Sequence, residues 1–362
     1  MGGVLLALLR RRVAACLTIL FTLASIGPAM ANPVLLVDAQ TYEVLYAEEA
    51  GQPWHPASLT KLMTAYVAFA AIKAGRISLD DPIKISKNAW NQAPSKSGLK
   101  VGSSITLRDA LYILVVKSAN DIAIAIAEAI SGSAPEFVLE MNQMAAAMGM
   151  SATHFVNPHG LHADAQVTSA RDLAILALII RRDFPEYSDL FDTEAVRLGN
   201  AKLESNNGLL LHFPGTTGMK TGYVCASGLN IVATVDRGGR SMLAVVLGGS
   251  SARERNEMAA ELFLRGFSGA VNGTGQNVVQ LANVNAPPVN MRTRICGKEA
   301  KEYVAEREAE FPMGLDGQPS YLTDKLEGKV YTATDLGIIV DIPLPRPRPS
   351  WAPAVVASAD RD

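Results

Sequence analysis

Ser58-Leu-Thr-Lys61 sets a hydroxyl and a primary amine three residues apart. On a helix, positions i and i+3 share a face, so the two groups would be neighbours one turn apart. Serine is a poor nucleophile until a base takes its proton. A lysine can be that base when burial and nearby positive charge lower its pKa. At a helix start, backbone N–H groups also favour an oxyanion developing beside the serine. The spacing alone selects nothing, because Ser97-Gly-Leu-Lys100 repeats it. Ser118-Ala-Asn120 could supply a second hydroxyl and an amide, or its serine could simply cap a helix, and Ser205-Asn-Asn207 has the same form. Lys220-Thr-Gly222 occurs once; ending in glycine at a strand start, it suits an edge that a peptide backbone can approach closely.

The elements around these residues separate the two serines. Pro56 precedes an apolar, alanine-rich segment over residues 58–74, and Gly75 follows it. Proline in the first turn and glycine at the stop predict a helix, and its all-round apolar character predicts that it is buried. Ser97 instead falls in residues 88–106, rich in Gly, Ser, Asn and Lys, which read as a long loop without a helix to fix its geometry. Residues 107–116 and 121–130 read as helices with Ser118 to Asn120 in the break, and 135–148 and 169–182 as two more. Residues 34–37 and 44–46 form a hairpin. Residues 228–235 and 241–247 form another around Asp236-Arg-Gly-Gly239, and 253–267 return to helical spacing. Strands at both ends with helices between them predict an α+β domain over residues 32–268, a mainly antiparallel sheet covered by helices with a helical insert. Residues 269–342 form a small C-terminal region with weak strand signals and a charged stretch at 298–310. From Pro343 the proline-rich tail is expected to be disordered.

Bulk properties narrow the setting. With 362 residues, 49% hydrophobic content and a net charge of -2, the chain has no basic face for nucleic acid. Arg10, Arg11 and Arg12, an apolar run over residues 13–26 and Pro28-Ala-Met-Ala31 have the form of a secretory signal peptide, with an uncleaved anchor as the alternative. Val13-Ala-Ala-Cys16 loosely matches a lipoprotein cleavage box but has no apolar run before it. The mature chain is expected to begin near Asn32, outside the cytoplasm, and to be periplasmic or extracytoplasmic. It keeps Cys225 and Cys296, either as one disulfide or as two buried thiols. His154, His159 and His162 crowd near Asp164, but their spacing matches no standard zinc pattern, and no metal is expected.

Ser-x-x-Lys, then Ser-x-Asn, then Lys-Thr-Gly is the motif order of penicillin-binding proteins and class A β-lactamases. Over residues 33–268 the chain resembles the D-alanyl-D-alanine carboxypeptidases, low-molecular-mass penicillin-binding proteins with a β-lactamase-like fold. The resemblance rests on Pro56-Ala-Ser-Leu-Thr-Lys-Leu-Met-Thr64, Val116-Lys-Ser-Ala-Asn-Asp121, residues 153–161 around Asn157 and Gly160, residues 205–210, Gly215-Thr-Thr-Gly-Met-Lys-Thr-Gly222 and Gly228-Leu-Asn-Ile-Val232. It implies a serine-type carboxypeptidase that removes the terminal D-alanine of peptidoglycan stem peptides, needs no cofactor and is acylated by β-lactams. Ser58 would carry the acyl group, Lys61 would be its base, and Ser118 would pass the proton to the leaving D-alanine. Asn120 would bind the substrate amide, Lys220 would keep the site electropositive, and Thr221 would contact the terminal carboxylate. Gly222 admits the backbone, and the N–H groups of Ser58 and Tyr223 would form the oxyanion hole. The carboxylate-binding arginine would be Arg255, with Arg253 the alternative.

Two features bear on the rest of the reading. Tyr223 stands where relatives often carry histidine. Neither the charged stretch nor the tail has the apolar face a membrane-binding helix needs, so weak or no membrane attachment is expected. A β-lactamase is the rival enzyme, but no Glu-x-x-x-Asn for deacylation lies between Asn120 and Lys220. A catalytically idle wall-binding protein is the non-enzymatic rival.

Overall fold

A computed structural model describes residues 32–271 and 273–339. Its centre is a five-stranded sheet made of β1 (Val34–Asp38), β2 (Val44–Glu48), β7 (Thr216–Val224), β8 (Gly228–Arg237) and β9 (Arg240–Gly249). The strand order is β2-β1-β9-β8-β7, every neighbour is antiparallel, and β7 lies at one edge. Gly238 and Gly239 both have positive φ, 60° and 78°. They form the two-residue turn that aligns Arg237 with Arg240 and sets the β8–β9 register.

Side chains alternate across the sheet, so its two faces feed two apolar cores. Leu36, Ile231, Ala233, Met242 and Ala244 pack against Ala259, Ala260 and Phe263 of α6 (Ala252–Ser268). Leu35, Val37, Val232, Leu243 and Val245 face the larger helical layer. That layer holds α1 (Thr60–Lys73), α2 (Leu107–Val116), α3 (Asn120–Ser131), α4 (Ala134–Ala147) and α5 (Ala170–Asp183). In α1 every residue from Thr60 to Ala71 is buried, as its uniform apolar character predicts. The hydroxyls of Thr106, Ser133, Ser169 and Ser251 accept N–H groups three residues on and start α2, α4, α5 and α6; each such cap contributes about 1 kcal/mol.

The antiparallel sheet and the helices stand where the sequence puts them, and two segments gain structure it did not signal. The expected loop over residues 88–106 overlaps a short helix, Lys87–Trp90, and ends in β4 (Ser103–Thr106), which pairs with β3 (Pro82–Lys84). Elements this short carry too little periodicity to be seen. The other segment is a further hairpin, β5 (Thr193–Leu198) with β6 (Ala201–Glu204), which turns through Gly199 at φ 55°.

The C-terminal region builds no sheet of its own among the described residues. β10 (Lys329–Ala333) joins β5 in parallel, and β11 (Gly337–Ile338) joins β4. The charged stretch forms α7 (Ala300–Glu310), which has no buried residue. Side chains fasten this segment to the rest: Arg307 to the buried Glu254 at 2.7 Å, Lys329 to Asp192 at 2.7 Å, and Tyr331 to Asp109 at 2.6 Å. No single helix among the described residues is long and apolar enough to cross a membrane. The signal segment 1–31 and the tail 343–362 lie outside the described residues.

Candidate active site

Ser58 sits in a single 3-10 turn, Ala57–Leu59, that leads into α1. The backbone around it is tightly held. Ala57 adopts φ 49°, a left-handed conformation that non-glycine residues enter only when the surroundings impose it. A Cβ on Gly160 would lie 1.9 Å from the Ala57 carbonyl, and one on Gly222 would lie 2.9 Å from the Ser58 nitrogen. Both neighbours must therefore lack a side chain, which presses the loop 157–161 and strand β7 directly against the serine turn. Asn230 of β8 adds a clamp, donating to the His55 carbonyl at 3.1 Å and accepting from the Gly248 N–H at 2.9 Å.

Lys61 is fully buried. Its Nζ donates to Asn120 Oδ1 at 2.7 Å and to the His159 carbonyl at 2.6 Å, and lies 3.1 Å from Ser58 Oγ. Burial first, and then the charge of Lys220, hold its pKa well below the ordinary lysine value, with Asp121 opposing them. In its neutral form the amine has two N–H groups and one lone pair; with Asn120 and His159 accepting the two N–H groups, the lone pair of that form faces the Ser58 hydroxyl. In that form Lys61 can act as a general base towards Ser58.

The break between α2 and α3 brings in the second motif. Ser118 adopts φ 61°, and its hydroxyl is buried without a hydrogen-bond partner among the described residues. The helix cap is Ala119, so Ser118 is no N-cap. Asn120 opens α3; its Nδ2 donates to the Ala93 carbonyl at 2.9 Å, and its N–H to the Ser95 carbonyl at 2.7 Å. The other Ser-x-x-Lys copy anchors this same break. Ser97 is buried and donates its hydroxyl to Asp121 at 2.6 Å, while Lys100 is exposed.

The third motif lies inside β7, which begins at Thr216, and not at a strand start as the sequence suggests; the pairing with β8 extends the strand ahead of Lys220. Lys220 is buried and donates to the Thr221 carbonyl at 2.9 Å; burial, helped by the charge of Arg255, brings its pKa down to about 7. Arg255 is buried too, its pKa lowered by burial to about 10, and it donates to the Asn206 carbonyl and to Asn256 Oδ1. Arg253 turns away to the Phe311 carbonyl in the C-terminal segment, at 3.0 Å. Of the two candidate arginines, only Arg255 reaches the cleft.

That cleft, of about 380 Å³, is lined by Ser58, Ser118, Asn120, Thr221, Tyr223 and Arg255 among others, and no Asp or Glu among the described residues lines it. It also takes in Pro94, Ser95, Gly160 and Asn206, which the motifs did not single out as site residues. Asn157 and Gly160 stood in the resemblance, but nothing in their types marked the 157–161 backbone as a partner of Lys61. Cys225 and Cys296 form a disulfide bond, with S–S 2.01 Å. The three clustered histidines diverge: His159 accepts from the Leu161 N–H, His162 stands edge-on to His55 and 3.4 Å from Asp164, and His154 pairs by its backbone with Val167. No group of three or more His, Cys, Asp and Glu residues among the described residues is arranged to hold a metal ion.

Comparison with known proteins finds relatives over the region that holds this cleft. A family model described as D-alanyl-D-alanine carboxypeptidase (Peptidase_S11) matches residues 23–251. D-alanyl-D-alanine carboxypeptidase DacD of Salmonella typhimurium is 37% identical over 238 residues, 63% of this chain and 60% of that protein. DacA of Escherichia coli is 34% identical over 244 residues, 66% of this chain and 60% of DacA. The matches therefore span about 60% of these curated relatives' length. Among solved structures, penicillin binding protein 6B from Escherichia coli superposes with a TM-score of 0.63 at 35% identity, covering 68% of this chain and 80% of that one. Penicillin-Binding Protein D2 from Listeria monocytogenes, in a cefotaxime-bound form, superposes with a TM-score of 0.60 at 30% identity, covering 66% and 97%. With the serine turn, its buried lysine and the Lys-Thr-Gly strand all inside the matched region, the chain belongs to the D-alanyl-D-alanine carboxypeptidase family, peptidase family S11.

Proposed function

We propose that this chain is a serine-type D-Ala-D-Ala carboxypeptidase acting on peptidoglycan stem peptides, with Ser58 as nucleophile. The observation that carries the reading is the placement of the buried Lys61, whose Nζ lies 2.7 Å from Asn120 Oδ1, 2.6 Å from the His159 carbonyl and 3.1 Å from Ser58 Oγ. Lys61 removes the Ser58 proton as Oγ bonds to the carbonyl carbon of the penultimate D-alanine. The carbonyl oxygen becomes an oxyanion, met by the N–H groups of Ser58 and Tyr223. As the C–N bond breaks, Ser118 gives its proton to the departing amine and regains one from Lys61. Water then attacks the ester, and Ser58 is re-formed. Lys220, Thr221 and Arg255 suit the terminal carboxylate, since charge-assisted bonds from a buried guanidinium are strong.

β-Lactams would acylate Ser58 by the same route. Among the described residues no carboxylate lines the cleft to activate a deacylating water, which supports a long-lived penicilloyl adduct over lactamase turnover. The Cys225–Cys296 disulfide fits an oxidising compartment and so supports a periplasmic or extracytoplasmic location. The test is incubation of the mature protein with labelled penicillin and with a pentapeptide ending in D-Ala-D-Ala. The expected result is stable labelling together with D-alanine release, both abolished in Ser58→Ala. No labelling of the folded wild type would sink the proposal, and rapid penicillin turnover would favour a lactamase.

A further inference from the structure

The C-terminal segment reaches the rim of the cleft at one place. The Met291 N–H donates to the Ala226 carbonyl at 3.0 Å, Cys296 is bonded to Cys225, and the Tyr223 hydroxyl lies 3.2 Å from the Cys296 sulfur. Residues 291–296 thus run beside the end of β7 and the turn that follows it. Between 291 and 298 the segment carries Arg292, Arg294 and Lys298 and no acidic residue. All three are exposed. None has an ion pair among the described residues, although Arg294 stands 5.8 Å from the Tyr303 ring.

The direction of a bound peptide follows from the cleft. Its terminal carboxylate belongs with Thr221 and Arg255, and its scissile carbonyl belongs beside Ser58, against which Gly222 is packed. A peptide extended along the edge strand β7 therefore leaves the site towards Tyr223, Val224 and Cys225. An extended chain advances about 3.3 Å per residue. The residue before D-Ala-D-Ala accordingly passes the disulfide and the cationic segment tied to it.

We propose that the disulfide-tethered segment 291–298 is an outer subsite that selects peptides bearing a side-chain carboxylate on the residue preceding D-Ala-D-Ala. This rests on the carboxypeptidase reading above and names a recognition element beyond its three motifs. The field of exposed cations fades over a screening length of about 8 Å at physiological salt. The charge must therefore be held close to the peptide, and the Cys225–Cys296 bond ties the backbone of the cationic segment beside the end of β7. No carboxylate in the cleft competes for these cations.

The test compares kcat/KM for D-alanine release from N-acetyl-L-Glu-D-Ala-D-Ala and N-acetyl-L-Lys-D-Ala-D-Ala. The wild type should favour the glutamyl peptide by roughly three- to tenfold, the worth of two exposed ion pairs, and less in high salt. The double variant Arg292→Glu, Arg294→Glu should remove or invert the preference while leaving N-acetyl-D-Ala-D-Ala, which lacks the third residue, unchanged. The paired variant Cys225→Ser, Cys296→Ser should weaken the preference without abolishing D-alanine release. D-alanine release with no preference in the wild type, or with a preference that survives charge reversal, overturns the subsite and leaves the carboxypeptidase standing. A wild type that releases D-alanine from none of the three overturns both.

Discussion

Asn120→Asp probes the protonation state of Lys61, the proposed base, with a change of one heavy atom. Asn120 Oδ1 lies 2.7 Å from Lys61 Nζ. A carboxylate there would face the ammonium form of Lys61 at that distance. Coulomb's law with an effective dielectric of about 20 puts the attraction at about 6 kcal/mol. Desolvating both ions returns a good part of it. If half survives, Lys61 is held protonated by about 3 kcal/mol, a loss on the order of a hundredfold in acylation at neutral pH.

The sign of the pH dependence follows directly. In the wild type the lysine pKa is depressed, so acylation is present above that depressed value and lost as pH falls through it. In Asn120→Asp the pKa rises, the active window moves to higher pH, and rate is recovered on the alkaline side. The assay is the second-order rate of labelling by a fluorescent penicillin from pH 5 to 10, with thermal unfolding as a check on the fold. Asn120→Ala serves as the control. It removes the acceptor for Lys61 and the donor to the Ala93 carbonyl but adds no charge, so it should slow labelling by about 1–3 kcal/mol without moving the profile upward. An Asn120→Asp protein that is folded and has the wild-type profile refutes the assignment of neutral Lys61 as the base.

Lys220, with its pKa brought down to about 7, loses its charge just above neutrality, so kcat/KM for a peptide with a free terminal carboxylate should fall as pH rises through that value. Lys220→Arg, which stays charged, should shift this alkaline limb upward, and an unchanged limb would show that another group controls it. Ser97→Ala removes the hydroxyl donated to Asp121 and should cost about 1–3 kcal/mol of stability, read as a lower Tm, while penicillin labelling of the folded protein persists. Loss of labelling without loss of fold would mean that the second Ser-x-x-Lys copy takes part in the chemistry.

What the sequence could declare here was local. Pro56 and Gly75 bracket the helix, the Asp236-Arg-Gly-Gly239 turn announces its hairpin, and three side-chain motifs name the cleft's inner residues. Each depends on residue type within a few positions. The distinction between Ser58 and Ser97 was also legible, because only one of them heads a helix. The short strands β3 to β6 were not, since three to six residues without alternation leave no periodic trace. The C-terminal segment was obscure for another reason. Its strands complete sheets begun more than a hundred residues earlier, so no pattern within the segment reveals its partner.

The least legible feature is the one that decides the chemistry. Lys61 is poised by three contacts, and one of them is the backbone carbonyl of His159, a group every residue possesses. No residue type at position 159 reports that its carbonyl accepts from a lysine almost a hundred positions away. The trace that survives is indirect and lies at Gly160. At φ 88°, with the Ala57 carbonyl 1.9 Å from where its Cβ would be, this position admits no side chain. A glycine there lets the loop approach closely enough for the preceding carbonyl to reach Lys61 Nζ. Packing thus sets the surroundings of the proposed base: in the neutral form of Lys61 the loop accepts one N–H, Asn120 accepts the other, and the lone pair faces the serine hydroxyl. A search for catalytic side chains alone finds Ser58 and Lys61 but not what makes the lysine a base. The glycine beside a catalytic turn is where that information is stored.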